Sequence, residues 1–137
     1  NLVIKDILDD LKQQGILNHK SILVESNRDI IWQTNDMQMR ILLRNLLDNA
    51  CRYAHENSQI AIFIDSQQLA IRNMCTSMSE EMLSLCKGRF KRGVSDQQGS
   101  GLGLSICQQI CQHNHYEFSM RNRSDGIEGI EVFISKR

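Results

Sequence analysis

An α+β fold, a two-layer sandwich in which a mixed β-sheet is covered on one face by about three helices, follows from three features of the sequence. Apolar residues recur at helical spacing in separated stretches, the longest from Met37 to Ala54. Between them lie short β-rich runs bounded by turn-prone residues. The order that results, α-β-β-α-β-β-α-α-β-β, mixes hairpins with crossovers and needs helices to cover the sheet.

Taken in order, Ile4 to Gln13 places Ile4, Ile7, Leu8 and Leu11 on one helical face, and Gly15 supplies a stop. Ser21 to Glu25 and Asp29 to Gln33 read as short strands around Ser26-Asn27. Asp36 suits an N-cap for the long helix. At about 100° per residue, Leu42, Leu46, Met39, Ala50, Leu43, Ala54 and Leu47 of that helix form one apolar arc. Ile60 to Ile64 and Gln68 to Arg72 form a hairpin across Asp65-Ser66-Gln67. After a polar loop from Asn73 to Ser79, the acids Glu80 and Glu81 open a short helix that ends near Gly88. Phe90 to Ser100 has no hydrophobic period and reads as a mobile loop. Leu102 to His113 is helical again, and Tyr116 to Arg121 and Gly129 to Ser135 are the last strands, linked through Asn122 to Gly126.

Composition narrows the function. The 137 residues suit one domain, residues 1–137, and the opening on Asn1 without Met suggests a fragment of a longer chain. Lysine plus arginine and aspartate plus glutamate balance at 16 each, so no nucleic-acid or anionic-membrane surface is expected. No apolar run approaches the roughly 20 residues of a membrane span, and the N-terminus lacks a signal-peptide pattern. The five cysteines, Cys51, Cys75, Cys86, Cys107 and Cys111, include no CxxC, which favours free thiols in a reducing, cytosolic setting over a disulfide framework or zinc finger. The absence of proline has no physical account.

Two stretches carry chemistry. On the long helix, Asn45, Asn49 and Arg52 fall along one edge of the apolar arc. Asparagine is a mediocre helix former, so two of them one turn apart with an arginine beyond are either chance or an edge that offers amide oxygens and a cation to something charged. The second stretch is Gly99-Ser-Gly101-Leu-Gly103-Leu, ahead of a helix. Glycines let backbone N–H groups approach a ligand, and a helix N-terminus adds unpaired N–H groups and positive dipole, a natural phosphate cradle. A flexible hinge would look the same. The G-x-G-x-G spacing lacks the preceding strand of a dinucleotide fold, and no GK[ST] or VAIK, HRD and DFG set is present.

Together the pieces resemble the catalytic and ATP-binding domain of bacterial sensor histidine kinases, the Bergerat ATP-binding fold shared with gyrase B, MutL and related chaperone ATPases. Arg44 to Ala54 (RNLLDNACRYA) is similar to the N box, Phe90-Lys91-Arg92-Gly93 to the F box, and Gly99 to Leu104 to the G2 box, and the resemblance covers essentially the whole chain. The resemblance implies Asn49 as the Mg²⁺ ligand, Asn45 as support for metal and phosphates, Arg52 near the phosphates and Tyr53 against the base. It implies Gly99, Gly101, Leu102, Gly103 and Leu104 along the triphosphate, and Arg89 and Arg92 toward the γ-phosphate. The G1 box departs from the family's D-x-G-x-G: Asn73 stands for the aspartate that accepts from the adenine amino group, and Cys75 and Ser77 replace the glycines. Adenine recognition is therefore expected to be weaker or altered, because charge-assisted hydrogen bonds are roughly twice as strong as neutral ones.

The implied reaction is transfer of the γ-phosphoryl of Mg-ATP to a histidine on a separate dimerisation domain, then to a response regulator. ATP and Mg²⁺ are the implied cofactors. The hydrolytic relatives carry a glutamate base where Asn45 stands, and an amide cannot take a proton from water. No acceptor is expected among His19, His55, His113 and His115. The implied setting is the cytoplasmic domain of an inner-membrane sensor kinase, monomeric as a fragment and homodimeric in the parent, with no membrane contact of its own. Two alternatives share the fold: a nucleotide-binding-impaired docking or regulatory domain, and an anti-sigma-factor-type serine kinase.

Overall fold

The structure is a computed structural model that describes residues 2–15, 20–26, 36–65, 67–83 and 100–136. Its elements are α1 (Leu2–Gln13), β1 (Ser21–Ser26), α2 (Asp36–Tyr53), β2 (Gln59–Ile64), β3 (Gln68–Arg72), α3 (Ser100–His113), β4 (Tyr116–Asn122) and β5 (Ile130–Lys136). The strands form one mixed sheet in the order β1-β2-β3-β5-β4, with β1 parallel to β2 and the other pairs antiparallel. The helices pack on one face, a two-layer α+β sandwich as expected.

The sheet's period of two divides its residues cleanly. Ile60, Ile62, Ile64, Leu69, Ile71, Met120, Ile130 and Ile134 point into the core, where they meet Leu42, Leu43, Leu46 and Leu47 of α2 and Cys107, Ile110 and Cys111 of α3. From α1, Ile7 and Leu11 join the same core, and Leu11 is fully buried. On the opposite face the register sets Glu131 directly across from Arg72 on β3 and Arg121 on β4. Glu131 is 3% exposed and ion-paired to both arginines. The two guanidiniums also lie over aromatic rings of that face, Arg72 at 4.7 Å from the Phe63 centroid and Arg121 at 5.5 Å from that of Phe133.

Local signals end the elements. Gly15, with φ of +72°, closes α1. Asp65 Oδ1 accepts from the N–H groups of Gln67 and Gln68 and fixes the β2–β3 hairpin. Ser79 Oγ accepts from Met82 N–H at 3.1 Å and caps a helical turn over residues 80–83. Several boundaries differ from expectation by one or two residues, among them α1, which starts at Leu2, and α3, which starts at Ser100 rather than Leu102, so Gly101 and Gly103 lie in its first turn. The expected strand over Asp29 to Gln33 and most of the loop from Phe90 to Ser100 lie outside the described residues. Among the described residues no helix is long and apolar enough to cross a membrane.

Candidate functional site

The relative placement of α2 and α3 follows from two contacts. Asn114 Nδ2 donates to Gln38 Oε1 at 3.1 Å, and Cys107 Sγ lies 3.7 Å from the Leu42 carbonyl oxygen. The pairing runs backward along one helix as it runs forward along the other, so the helices are antiparallel. Extending the register past Cys107 and Leu42, at 1.5 Å rise per residue, brings the first turn of α3 level with the stretch from Asn45 to Asn49. The backbone N–H groups of that first turn have no intrahelical partners, and they carry the positive end of the helix dipole.

On α2 the expected edge is present, with distinct surroundings for each residue. Asn45 Nδ2 donates to the Ile41 carbonyl at 3.0 Å, which fixes its amide and commits the nitrogen rather than the oxygen. Arg52 Nε donates to Asp48 Oδ2 at 3.1 Å, with the arginine side chain more than half exposed. Tyr53 is 46% exposed at the helix end. Asn49 Oδ1 is the informative atom: it is buried, and it has no hydrogen-bond partner among the described residues. A buried acceptor without a donor is costly, and a hard cation that takes oxygen ligands satisfies one directly. The residue therefore fits a Mg²⁺ held by one amide oxygen and substrate phosphates. Among the described residues there is no cluster of three or more His, Cys, Asp or Glu that would hold a metal by itself.

Asp48 was not singled out by the sequence reading, yet its Oδ1 is the other buried oxygen without a partner among the described residues. The signal was available, since Asp48 precedes Asn49 and sits four residues before Arg52.

The loop from Asn73 to Met78 is built differently from what an open base pocket requires. Asn73 is 6% exposed. Its Oδ1 accepts from Ile130 N–H at 3.2 Å and faces Cys75 Sγ at 3.5 Å, while its Nδ2 donates to the Ala50 carbonyl of α2 at 3.3 Å. Its N–H donates to the Ile130 carbonyl, and its own carbonyl accepts from Arg123 Nη1 at 3.2 Å. An available acceptor oxygen was expected at this position; the oxygen is instead engaged inside the fold.

The β4–β5 connection straps the rest of the loop. Glu128 accepts from Ser77 N–H at 2.9 Å, and that bond holds its carboxyl below the ordinary glutamate value. Asn122 accepts from Met78 N–H and donates to the Met78 carbonyl. The Arg123 side chain, 7% exposed, is braced by Asp125, whose pKa its hydrogen bond lowers to about 2. A Cβ on Gly129 would overlap the Asn73 carbonyl, so only glycine allows this approach. Arg123, Glu128 and Gly129 were invisible as site residues in the sequence because they act from the far end of a hairpin.

Of the remaining expected residues, Arg89, Arg92 and Gly99 lie outside the described residues, as does the F box. Gly101, Leu102, Gly103 and Leu104 are placed by their backbone in the first turn of α3.

Comparison with known proteins agrees with this architecture. Residues 34–135 match the family described as histidine kinase-, DNA gyrase B- and HSP90-like ATPases. The sensor protein BasS of Escherichia coli strain K12 is 35% identical over 119 residues, which is 85% of this chain and 31% of BasS, so the chain spans about a third of that relative's length. A nucleotide-free structure described as the catalytic domain of the histidine kinase ThkA superposes with a TM-score of 0.81 at 23% identity, covering 98% of this chain and 89% of that one. A structure of ThkA in complex with the response regulator TrrA superposes with a TM-score of 0.76 at 21% identity, covering 98% of this chain and 39% of that one. The chain belongs to the histidine kinase-, DNA gyrase B- and HSP90-like ATPase family.

Proposed function

We propose that this chain is the ATP-binding catalytic domain of a longer sensor histidine kinase, and that it donates the γ-phosphoryl group of Mg-ATP to a histidine on a separate dimerisation domain. Asn49 carries the reading: its oxygen is buried and without a hydrogen-bond partner among the described residues, on the stretch of α2 that the helix register sets level with the glycine-bearing N-terminus of α3. Phosphoryl transfer asks for positioning and charge neutralisation more than for covalent chemistry from the protein. Asn49 Oδ1 would hold Mg²⁺, which when bound neutralises charge on the phosphates. Asn45 orients beside it, and Arg52, tethered to Asp48, supplies a cation at the edge. The N–H groups of the first turn of α3 would serve the triphosphate together with Gly99, and Arg89 and Arg92 are assigned to the γ-phosphate, these three lying outside the described residues.

In the transfer, the bond from the γ-phosphorus to the bridging oxygen breaks as a bond to an imidazole nitrogen forms. The imidazole gives up a proton and ADP leaves. Because Asn45 cannot act as a base toward water, the nucleotide is kept for transfer rather than hydrolysed. That BasS is a sensor protein and that ThkA was solved with a response regulator support relay to a response regulator in this system as well.

A second reading, a docking domain with impaired nucleotide binding, is favoured by one observation, the commitment of the Asn73 oxygen inside the fold. Calorimetric titration with a non-hydrolysable ATP analogue separates the two. Measurable binding in Mg²⁺ that drops by about 10- to 100-fold in Asn49→Ala, and far less in EDTA, is expected of the kinase domain. Absence of binding, in this chain and in the intact parent protein, leaves the docking reading.

A further inference from the structure

We infer that position 73 does not read the 6-substituent of the base, so that this domain takes 6-amino and 6-oxo purine nucleotides alike and selects its ligand by the phosphates. The inference rests on the nucleotide-site reading above and concerns the base end of that same site.

The argument is one of satisfied hydrogen bonds. An amide oxygen offers two lone pairs. At Asn73 one faces Ile130 N–H and the other faces the Cys75 thiol. Burial raises the Cys75 pKa above the ordinary thiol value, so it remains an S–H donor at neutral pH. Which end of the amide is oxygen is not a free choice, because the Ile130 N–H can only donate and the Ala50 carbonyl can only accept. Reversing the amide would oppose two donors at one end and two acceptors at the other.

The side chain cannot swing away cheaply either. Its backbone is held on both sides, by Ile130 and by Arg123, and Gly129 lies directly against its carbonyl. To release the oxygen toward an adenine amino group, the buried Ile130 N–H would have to lose its acceptor. That costs more than one neutral hydrogen bond to a base returns. The side chain has one polar hydrogen left on Nδ2. Such a donor serves N1 of adenine or O6 of a 6-oxopurine equally, since both are acceptors.

The test compares ADP with IDP, which differ at the base's 6-position and in protonation of N1, in Mg²⁺ by calorimetric titration, with magnesium tripolyphosphate as the base-free probe. Wild type is expected to bind the two nucleotides within about threefold of each other. Asn73→Asp keeps acceptors for Ile130 and Cys75, has lone pairs to spare for an amino group and repels a 6-oxo group. It should shift the ratio toward ADP by about tenfold or more. Cys75→Ala frees one lone pair without touching the Ile130 bond and should move the ratio the same way by about threefold, which keeps the test informative if Asn73→Asp folds poorly. A wild-type preference for ADP of about tenfold or more overturns the inference, as does a ratio that neither variant moves. If tripolyphosphate binds and neither nucleotide does, the inference falls and the phosphate-site reading stands. If none of the three binds, both fall.

Discussion

Asn49 and Asn73 are the same residue type put to opposite uses, and the difference lies in what surrounds each oxygen. Asn49 keeps a buried acceptor without a partner among the described residues, whereas Asn73 spends its oxygen and one amide hydrogen on the fold. Gly129 makes the second arrangement possible, so Gly129→Ala should lower stability by about 1–3 kcal/mol, read as a fall in the urea midpoint without a change in slope. A midpoint equal to wild type would show that the Asn73–Gly129 approach is not tight. Glu131 gives a pH test. Burial alone would raise its carboxyl, but hydrogen bonds and charge from Arg72 and Arg121 outweigh burial and hold it below the ordinary glutamate value. A carboxylate with a lowered folded pKa contributes stability above its unfolded pKa, and that contribution drains as pH falls through the folded one. Wild type should therefore lose stability as pH falls below the ordinary glutamate value, and Glu131→Gln should be less stable at pH 7 with a shallower acid slope. Parallel slopes would assign the acid sensitivity to other carboxylates. At this scale the shared helix edge of Asn45, Asn49 and Arg52 was legible because helical spacing is local. The Glu131 pairs were not, because they exist only once three strands are in register.

Most elements were legible from periodicity and punctuation. The helix from Asp36 to Tyr53, the hairpin closed by Asp65 and the last two strands stand within a few residues of where local signals put them. Strand order was not legible, since the parallel pairing of β1 with β2 and the placement of β5 between β3 and β4 join residues far apart in sequence. The apolar face of α1 was legible from helical spacing, and its partner was not: Leu11 is fully buried beside α2. The family match begins only at residue 34, so α1 is part of the core without being part of the matched region. Leu11→Ala should cost about 2–4 kcal/mol in urea unfolding. Asp6→Ala, which removes an exposed ion pair to Arg40, should cost less than about 0.5 kcal/mol. The reverse order would mean that α1 is held by its charges.

For the molecule as a whole, the buried thiols report whether the layers open together. Cys51, Cys75, Cys107 and Cys111 are all free and buried, spread over α2, the loop from Asn73 to Met78 and α3. Burial pushes Cys51 to about 11 and Cys111 to about 12, and raises Cys75 and Cys107 as well, so none presents a thiolate at neutral pH. Alkylation of these four should then wait for opening of the core, while Cys86, outside the described residues, is followed separately by its own peptide in mass spectrometry. If α2, α3 and the sheet open as one unit, the four should be modified at a common rate. A ligand that binds only the folded chain lowers the globally opened population by a factor of one plus its concentration over Kd, about 100-fold at a concentration 100 times Kd. Mg-ADP at that excess should therefore protect Cys107 and Cys111 of α3 as strongly as Cys75 in the loop from Asn73 to Met78. Protection confined to Cys75 would mean that the loop from Asn73 to Met78 opens by itself and that the hairpin strap from Asn122 to Gly129 does not tie it to the core. Equal protection would make nucleotide binding and global stability one quantity, with Asn49 and the first turn of α3 coupled to the same packed interior that hides the thiols.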